Sequence, residues 1–134
     1  MVVVRAQPLG DKASLSQVRR QIRADLARRD IDQSDLFDCL VAVTEACTRA
    51  LVQADAPVSP TVAWEITDSL ARFYVRDFTG KEWSRVSHPS RRDDESEEAM
   101  NYGLDIIRSL MDEVDVAVGP DGTVVSLVKR LATS

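Results

Sequence analysis

Apolar residues recur along this chain with two spacings, and each predicts its own kind of element. From Ser14 to Arg29, Leu15, Val18, Ile22 and Leu26 return every three or four positions with arginines on the other faces, which predicts an amphipathic helix. Val2 to Arg5, ahead of it, reads as a short strand. A second helix is predicted to start near Asp32 or Ser34, both good caps, and to run to about Ala54, where "DAP" stops it. At 100° per residue, Leu36, Leu40, Val43, Cys47, Ala50, Leu51 and Ala54 gather on one side of that helix, with Glu45 and Arg49 opposite. The period then switches to two. Val62, Trp64 and Ile66 alternate with Ala63, Glu65 and Thr67, and Phe73 and Val75 alternate with Arg72, Tyr74 and Arg76, which predicts a hairpin with one buried face. Residues 87 to 98, "SHPSRRDDESEE", join helix breakers to dense charge and read as a loop. Asp94 with Glu97 forms a candidate capping box for a third helix holding Met100, Leu104, Ile107 and Met111. "GPDG" then turns between strands at 114–118 and 123–130. The order β, α, α, β, β, loop, α, β, β predicts an α+β, two-layer sandwich: a mixed, mostly antiparallel sheet with helices on one face.

Composition adds limits. A chain of 134 residues, 44% hydrophobic and 29% charged with only 5 Gly and 5 Pro, fits one folded domain spanning residues 1–134. No apolar run approaches the roughly 20 residues a bilayer demands, and "MVVVRAQPLGDK" lacks the basic start and long apolar stretch of a signal peptide, so a cytoplasmic location is expected without membrane association. Cys39 and Cys47, both in the second predicted helix, lie about 12 Å apart along its axis. They cannot bridge within the chain and read as reduced and buried. A net charge of -5 argues against direct nucleic-acid binding, while the arginines crowded into residues 19 to 29 form one basic face suited to an acidic partner protein. His88 has no companion of metal-ligand type nearby, and no protein metal site is expected.

Glu45 and Arg49 remain open to two readings on pattern alone. Glutamate four residues before arginine is the favoured orientation for a helical ion pair worth about 0.2 to 0.5 kcal/mol, and periodicity does not carry the pair further.

Four segments in order carry a resemblance. "LVAVTEACTRALVQA", residues 40–54, is similar to the N-box helix of the anti-sigma-factor serine/threonine kinases, a branch of the GHKL, or histidine-kinase-like, ATPase superfamily. "VRDFTG" (Val75 to Gly80) resembles that family's aspartate-glycine box, "NYGLDIIRSLMDEV" (Asn101 to Val114) its glycine-led helix after an ATP lid, and "DGTVVSLVKRL" its closing Gly-Thr strand. The resemblance spans nearly the whole chain and implies the Bergerat ATPase fold, with a lid-like loop at about 84–98. It implies that Glu45 is the general base for the attacking hydroxyl, that Asp77 accepts a hydrogen bond from the adenine amino group, and that Thr123 lies near the adenine edge. Gly80 belongs to the adenine box, while Asn101, Gly103 and Leu104 open a helix whose N–H groups face phosphates.

Departures from the family pattern fall in the same pocket. Arg49 stands where the family has a magnesium-ligating asparagine, and a guanidinium has no acceptor with which to ligate Mg²⁺. It is expected either to contact phosphate oxygens or to neutralise Glu45. Asn101 replaces a glycine, Tyr102 adds bulk, and Gly80 follows Asp77 by three residues instead of the usual two. The expectation is an ATP site with weakened phosphoryl transfer and doubtful Mg²⁺. By resemblance, the chain acts by partner switching: it binds a sigma factor and an anti-sigma-factor antagonist whose serine it phosphorylates, through a surface including Arg19, Arg20 and Arg23, as a homodimer. The alternative is a non-catalytic binding module with a vestigial nucleotide site that sequesters a regulatory protein. A histidine-kinase fragment fits less well, because no dimerisation helix with a phosphorylatable histidine is present.

Overall fold

The computed structural model describes residues 2–53, 58–78, 103–120 and 122–132. The chain runs β1 (Val3–Pro8), α1 (Lys12–Ala27), α2 (Gln33–Gln53), β2 (Thr61–Ile66), β3 (Leu70–Asp77), α3 (103–110), β4 (Glu113–Gly119) and β5 (Gly122–Arg130). The expected element order holds. The strands form one sheet in the order β1-β2-β3-β5-β4. Every pair is antiparallel, so the sheet expected to be mixed is antiparallel throughout its described strands.

Local chemistry sets the boundaries. Asp11 caps α1, its Oδ1 accepting the Ser14 N–H at 2.8 Å, and so starts the helix two residues ahead of Ser14. β1 extends beyond Arg5 to Pro8, a residue tolerated there because β1 is an edge strand. The alternation in β2 and β3 survives intact: Val62, Trp64, Ile66, Ala71, Phe73 and Val75 are buried.

The helices share one face of the sheet. Arg5 reaches from β1 to Asp25 of α1, and Lys129 reaches from β5 both to Asp38 of α2 at 3.1 Å and to the Leu110 carbonyl of α3 at 2.7 Å. Burial is the largest influence on Lys129 and opposes its charge, but Asp38 outweighs it and the ammonium's pKa is raised. Leu104 and Ile107 bury the inner side of α3, and Met111, just past its end, is buried in line with them, as their spacing predicts. Both cysteines are free and buried in α2, and burial pushes each thiol up to about 12, which keeps them unreactive.

Asp25 is fully buried and yet charged. Its carboxylate accepts from Arg5 Nε at 2.7 Å and Arg5 Nη2 at 3.2 Å, from Gln21 Nε2 at 3.0 Å and from the Trp64 indole at 2.8 Å. Burial pushes the Asp25 pKa up, the donors from Arg5, Trp64 and Gln21 outweigh it, and the carboxyl lies below its ordinary value. One carboxylate thereby ties α1 to β1 and β2.

The structure corrects one expectation about α2. Ala50 is fully buried as predicted, but so are Cys39, Ala42 and Ala46, so the buried arc is wider than the predicted side and takes in more of the small residues. Small side chains let the helix backbone lie close to β3 and β5, against which α2 packs. Arg49, expected opposite the core, is only 9% exposed as a result.

Candidate functional site

α2 carries Glu45 and Arg49 one turn apart on the flank of that arc. Arg49 Nε lies 3.4 Å from Glu45 Oε1, with the Glu45 side chain still 34% exposed. Neither group points away from the protein. A Cβ built on Gly103, where the described α3 begins, would collide with the Arg49 guanidinium and with Glu45 Oε1. The missing side chain of Gly103 is therefore what lets the ion pair settle against this end of α3. Burial lowers the Arg49 pKa and Glu45 works the other way, yet a guanidinium stays charged throughout the accessible pH range. Leu104 beside Gly103 turns into the core, 1% exposed, and anchors the helix end.

A second pair closes the ends of the central strands. Asp77 and Thr123 are cross-strand partners at the β3–β5 junction, and both are fully buried. Gly122 precedes Thr123 with φ +135, a conformation open to glycine and strained for other residues. A Cβ there would strike the Asp77 carbonyl oxygen and come within 2.9 Å of Phe78 Cα. Glycine thus allows the β4–β5 turn to press against the backbone that presents Asp77. In the alternation of β3, Asp77 continues the row of Phe73 and Val75 and so faces the helix layer.

The two pairs lie toward the same end of the molecule. Lys129 fixes Asp38 over β5. From that anchor, α2 advances roughly 16 Å to Arg49 and β5 extends roughly 20 Å back to Thr123. The arrangement fits an adenine nucleotide in part: Asp77 supplies a buried acceptor, Gly103 a helix end without a side chain, and Arg49 a cation for phosphate oxygens. It does not fit Mg²⁺ at the Arg49 position, since arginine offers donors alone. Among the described residues, no three of His, Cys, Asp and Glu are grouped to hold a metal.

Arg19, Arg20 and Arg23 are exposed on α1 and come together around a hollow of about 380 Å³ that also touches Ser16 and Leu40. Gly80 and Asn101 lie outside the described residues, as do Tyr102, Met100, the Asp94–Glu97 capping box and the 84–98 loop. Periodicity alone missed that Gly103 and the Glu45–Arg49 pair meet. It also missed Thr44 and Thr48, which line a further hollow of about 450 Å³ between α1 and α2. Their spacing from Leu40 and Leu51 was the available signal, hidden because threonine reads as polar.

Residues 10–129 match the family model described as a histidine kinase-like ATPase domain. Among solved structures, the chain is similar over 100% of its length to the crystal structure of the RsbU and RsbW domains of Rv1364c from Mycobacterium tuberculosis, at 23% identity and a TM-score of 0.70. It spans only 33% of that longer chain, and at this identity the likeness is one of fold. No curated protein sequence matches the chain.

Proposed function

Since this chain belongs to the histidine kinase-like ATPase domain family, we propose that it is an anti-sigma-factor-type regulator in the cytoplasm. It acts as a homodimer by partner switching, with its phosphoryl transfer held down by its own ion pair. The RsbW domain named in the similar structure supports the regulatory class, and Arg19, Arg20 and Arg23 supply the positive surface for its partners. Those partners are a sigma factor and an anti-sigma-factor antagonist.

The observation that carries this reading is the seating of Glu45 against both Arg49 and Gly103. A general base must be free to accept a proton from the attacking serine hydroxyl. Here the carboxylate is already held by a cation and by a helix end. Asp77 and Thr123 would take the adenine edge, while Arg49 and the Gly103 end of α3 would take phosphate oxygens. When bound, ATP supplies the phosphoryl group; what this chain adds is orientation, charge and a restrained base. The stronger restraint gives the second reading, a binding module without catalysis, favoured by the same ion pair.

Calorimetric titration with ATP, with and without Mg²⁺, separates the two. Micromolar binding supports a restrained kinase, and no heat at millimolar nucleotide supports the binding module. We expect Arg49→Asn to strengthen Mg²⁺-dependent ATP binding roughly tenfold, equivalent to about 1.4 kcal/mol. An unchanged titration would remove Arg49 as the limiting residue.

A further inference from the structure

Lys129 stands in a row of the sheet that is otherwise buried. Along β5, Thr123, Val125, Leu127 and Lys129 share the side that faces the helices, and the first three are fully buried. An ammonium in that row needs partners of its own. It has them on two different helices: Asp38 Oδ2 of α2 at 3.1 Å and the Leu110 carbonyl of α3 at 2.7 Å. The Lys129 side chain is only 14% exposed, so these contacts are largely shielded from water.

Fastening α3 to the sheet does not depend on this lysine. The Asp112 N–H donates to the Val128 carbonyl at 2.9 Å, and Asp112 Oδ2 accepts from the Arg130 N–H at 2.6 Å, so the residues that follow α3 are already bound to β5. What Lys129 adds is α2. By bridging Asp38 and the Leu110 carbonyl, its ammonium sets which turn of α3 lies beside which turn of α2. Glu45 comes seven residues after Asp38, and Gly103 comes seven before Leu110. From the one ammonium, the two helices therefore run equal legs of roughly 10 Å in opposite chain directions. They meet again at the far end, where a Cβ on Gly103 would strike Glu45 Oε1 and the Arg49 guanidinium. That meeting tolerates no change of register, because a slip of one residue, roughly 1.5 Å, would set a residue with a side chain where no Cβ has room.

We propose that Lys129 is a positioning residue for the Glu45–Arg49 pair: by holding α2 and α3 in register at one end, it seats the pair against Gly103 at the other. The inference rests on the reading of Glu45 as a restrained base and adds what sets the restraint. Lys129 acts through two turns of each helix. Without its bridge, α3 stays bound to β5 through Asp112 but is no longer tied to Asp38, and Gly103 shifts against the pair.

The test uses the full chain labelled with ¹⁵N and follows the Arg49 Nε–H and the Gly103 amide, with the Arg5 Nε–H at Asp25 as a control. Lys129→Met keeps the reach of the side chain and removes its charge. It is expected to shift both site signals and to speed exchange of the Arg49 Nε–H with water about fivefold, leaving the Arg5 signal unmoved. Lys129→Arg, which can donate to both partners, should keep the original positions. Asp38→Asn, a milder break on the α2 side, should move the same two signals in the same direction by less, and it decides the matter if Lys129→Met does not fold. A merely structural lysine would give another result: lower stability in urea with the Arg49 and Gly103 signals in place, or equal movement at Arg5. Either outcome overturns the proposal, as would signals displaced as far by arginine as by methionine. No nucleotide enters these measurements, so a chain that shows the shifts but does not bind ATP loses the nucleotide reading and keeps the positioning role of Lys129.

Discussion

Two corners of this molecule hold a carboxylate beside an arginine, and they hold it differently. Asp25 is fully buried and receives donors from Arg5, Gln21 and Trp64 on three elements, with Arg5 Nε at 2.7 Å. Glu45 is partly exposed, lies 3.4 Å from Arg49 on the same helix, and rests against a glycine. The first site is over-determined: its charge is matched from several directions, and removing it orphans every partner. The second joins two side chains of one helix, one nearly buried and one partly exposed. Complete satisfaction marks the Asp25 corner as structural, whereas at the other corner the Glu45 carboxylate keeps contact with solvent.

Stability measurements sharpen this contrast, beginning with the largest effect. Asp25→Ala leaves the Trp64 indole and Arg5 without their acceptor, and we expect a loss of about 3 kcal/mol in denaturant unfolding. A loss below about 1 kcal/mol would erase the distinction between the corners. Next is pH. Because folding lowers the Asp25 pKa, its contribution is complete above the unfolded value near 3.9 and disappears as pH falls through the lower folded value. The melting temperature should therefore fall with acidification below about pH 4, and Asp25→Asn should flatten that limb. An acid limb as steep in the variant would assign it to other carboxylates.

Smaller effects are expected at the other corner. Gly103→Ala forces Arg49 and Glu45 to swing aside, but alanine's helix preference offsets the disturbance, for a net change of about 1 kcal/mol or less. The Arg49 Nε–H signal should move markedly in this variant, and an unmoved signal would mean that the pair does not rest on Gly103. Arg49→Asn should alter unfolding least, by about 0.5 kcal/mol, as an exchangeable helical ion pair would. A loss of several kcal/mol would make this corner structural too.

Much of the architecture was legible in the order of apolar residues. Alternation in Val62, Trp64, Ile66 and in Phe73, Val75 gave the hairpin, because a residue's side chain in a strand has only two directions to take. The helices followed from Leu15, Val18, Ile22 and Leu26, and from Leu36, Leu40 and Val43. What was hidden depends on residues whose environment contradicts their type. Asp25 sits among arginines on α1 and reads as solvated, yet it is buried because Trp64 and Arg5 come to it from strands distant in sequence. Ala42 and Ala46 carry too little hydrophobic weight to orient a helix in a periodic reading, though their small size sets its approach to the sheet. At the site, resemblance picked out Glu45, Asp77, Gly103 and Thr123 individually. That Asp77 faces Thr123, and Gly103 faces the Glu45–Arg49 pair, depends on pairings across the chain that local spacing does not encode.

The adjacency of β3 and β5 also bears on how the protein is made. The partnership of Asp77 with Thr123 joins strands between which all of residues 78–122 must first be threaded, including β4 and α3. Closing so long a loop is entropically costly and slow compared with forming the β2–β3 hairpin. A nascent or truncated chain ending before Thr123 therefore carries Asp77 without its cross-strand partner, and the sheet should acquire its β3–β5 junction only after the hairpin and both long helices have been made.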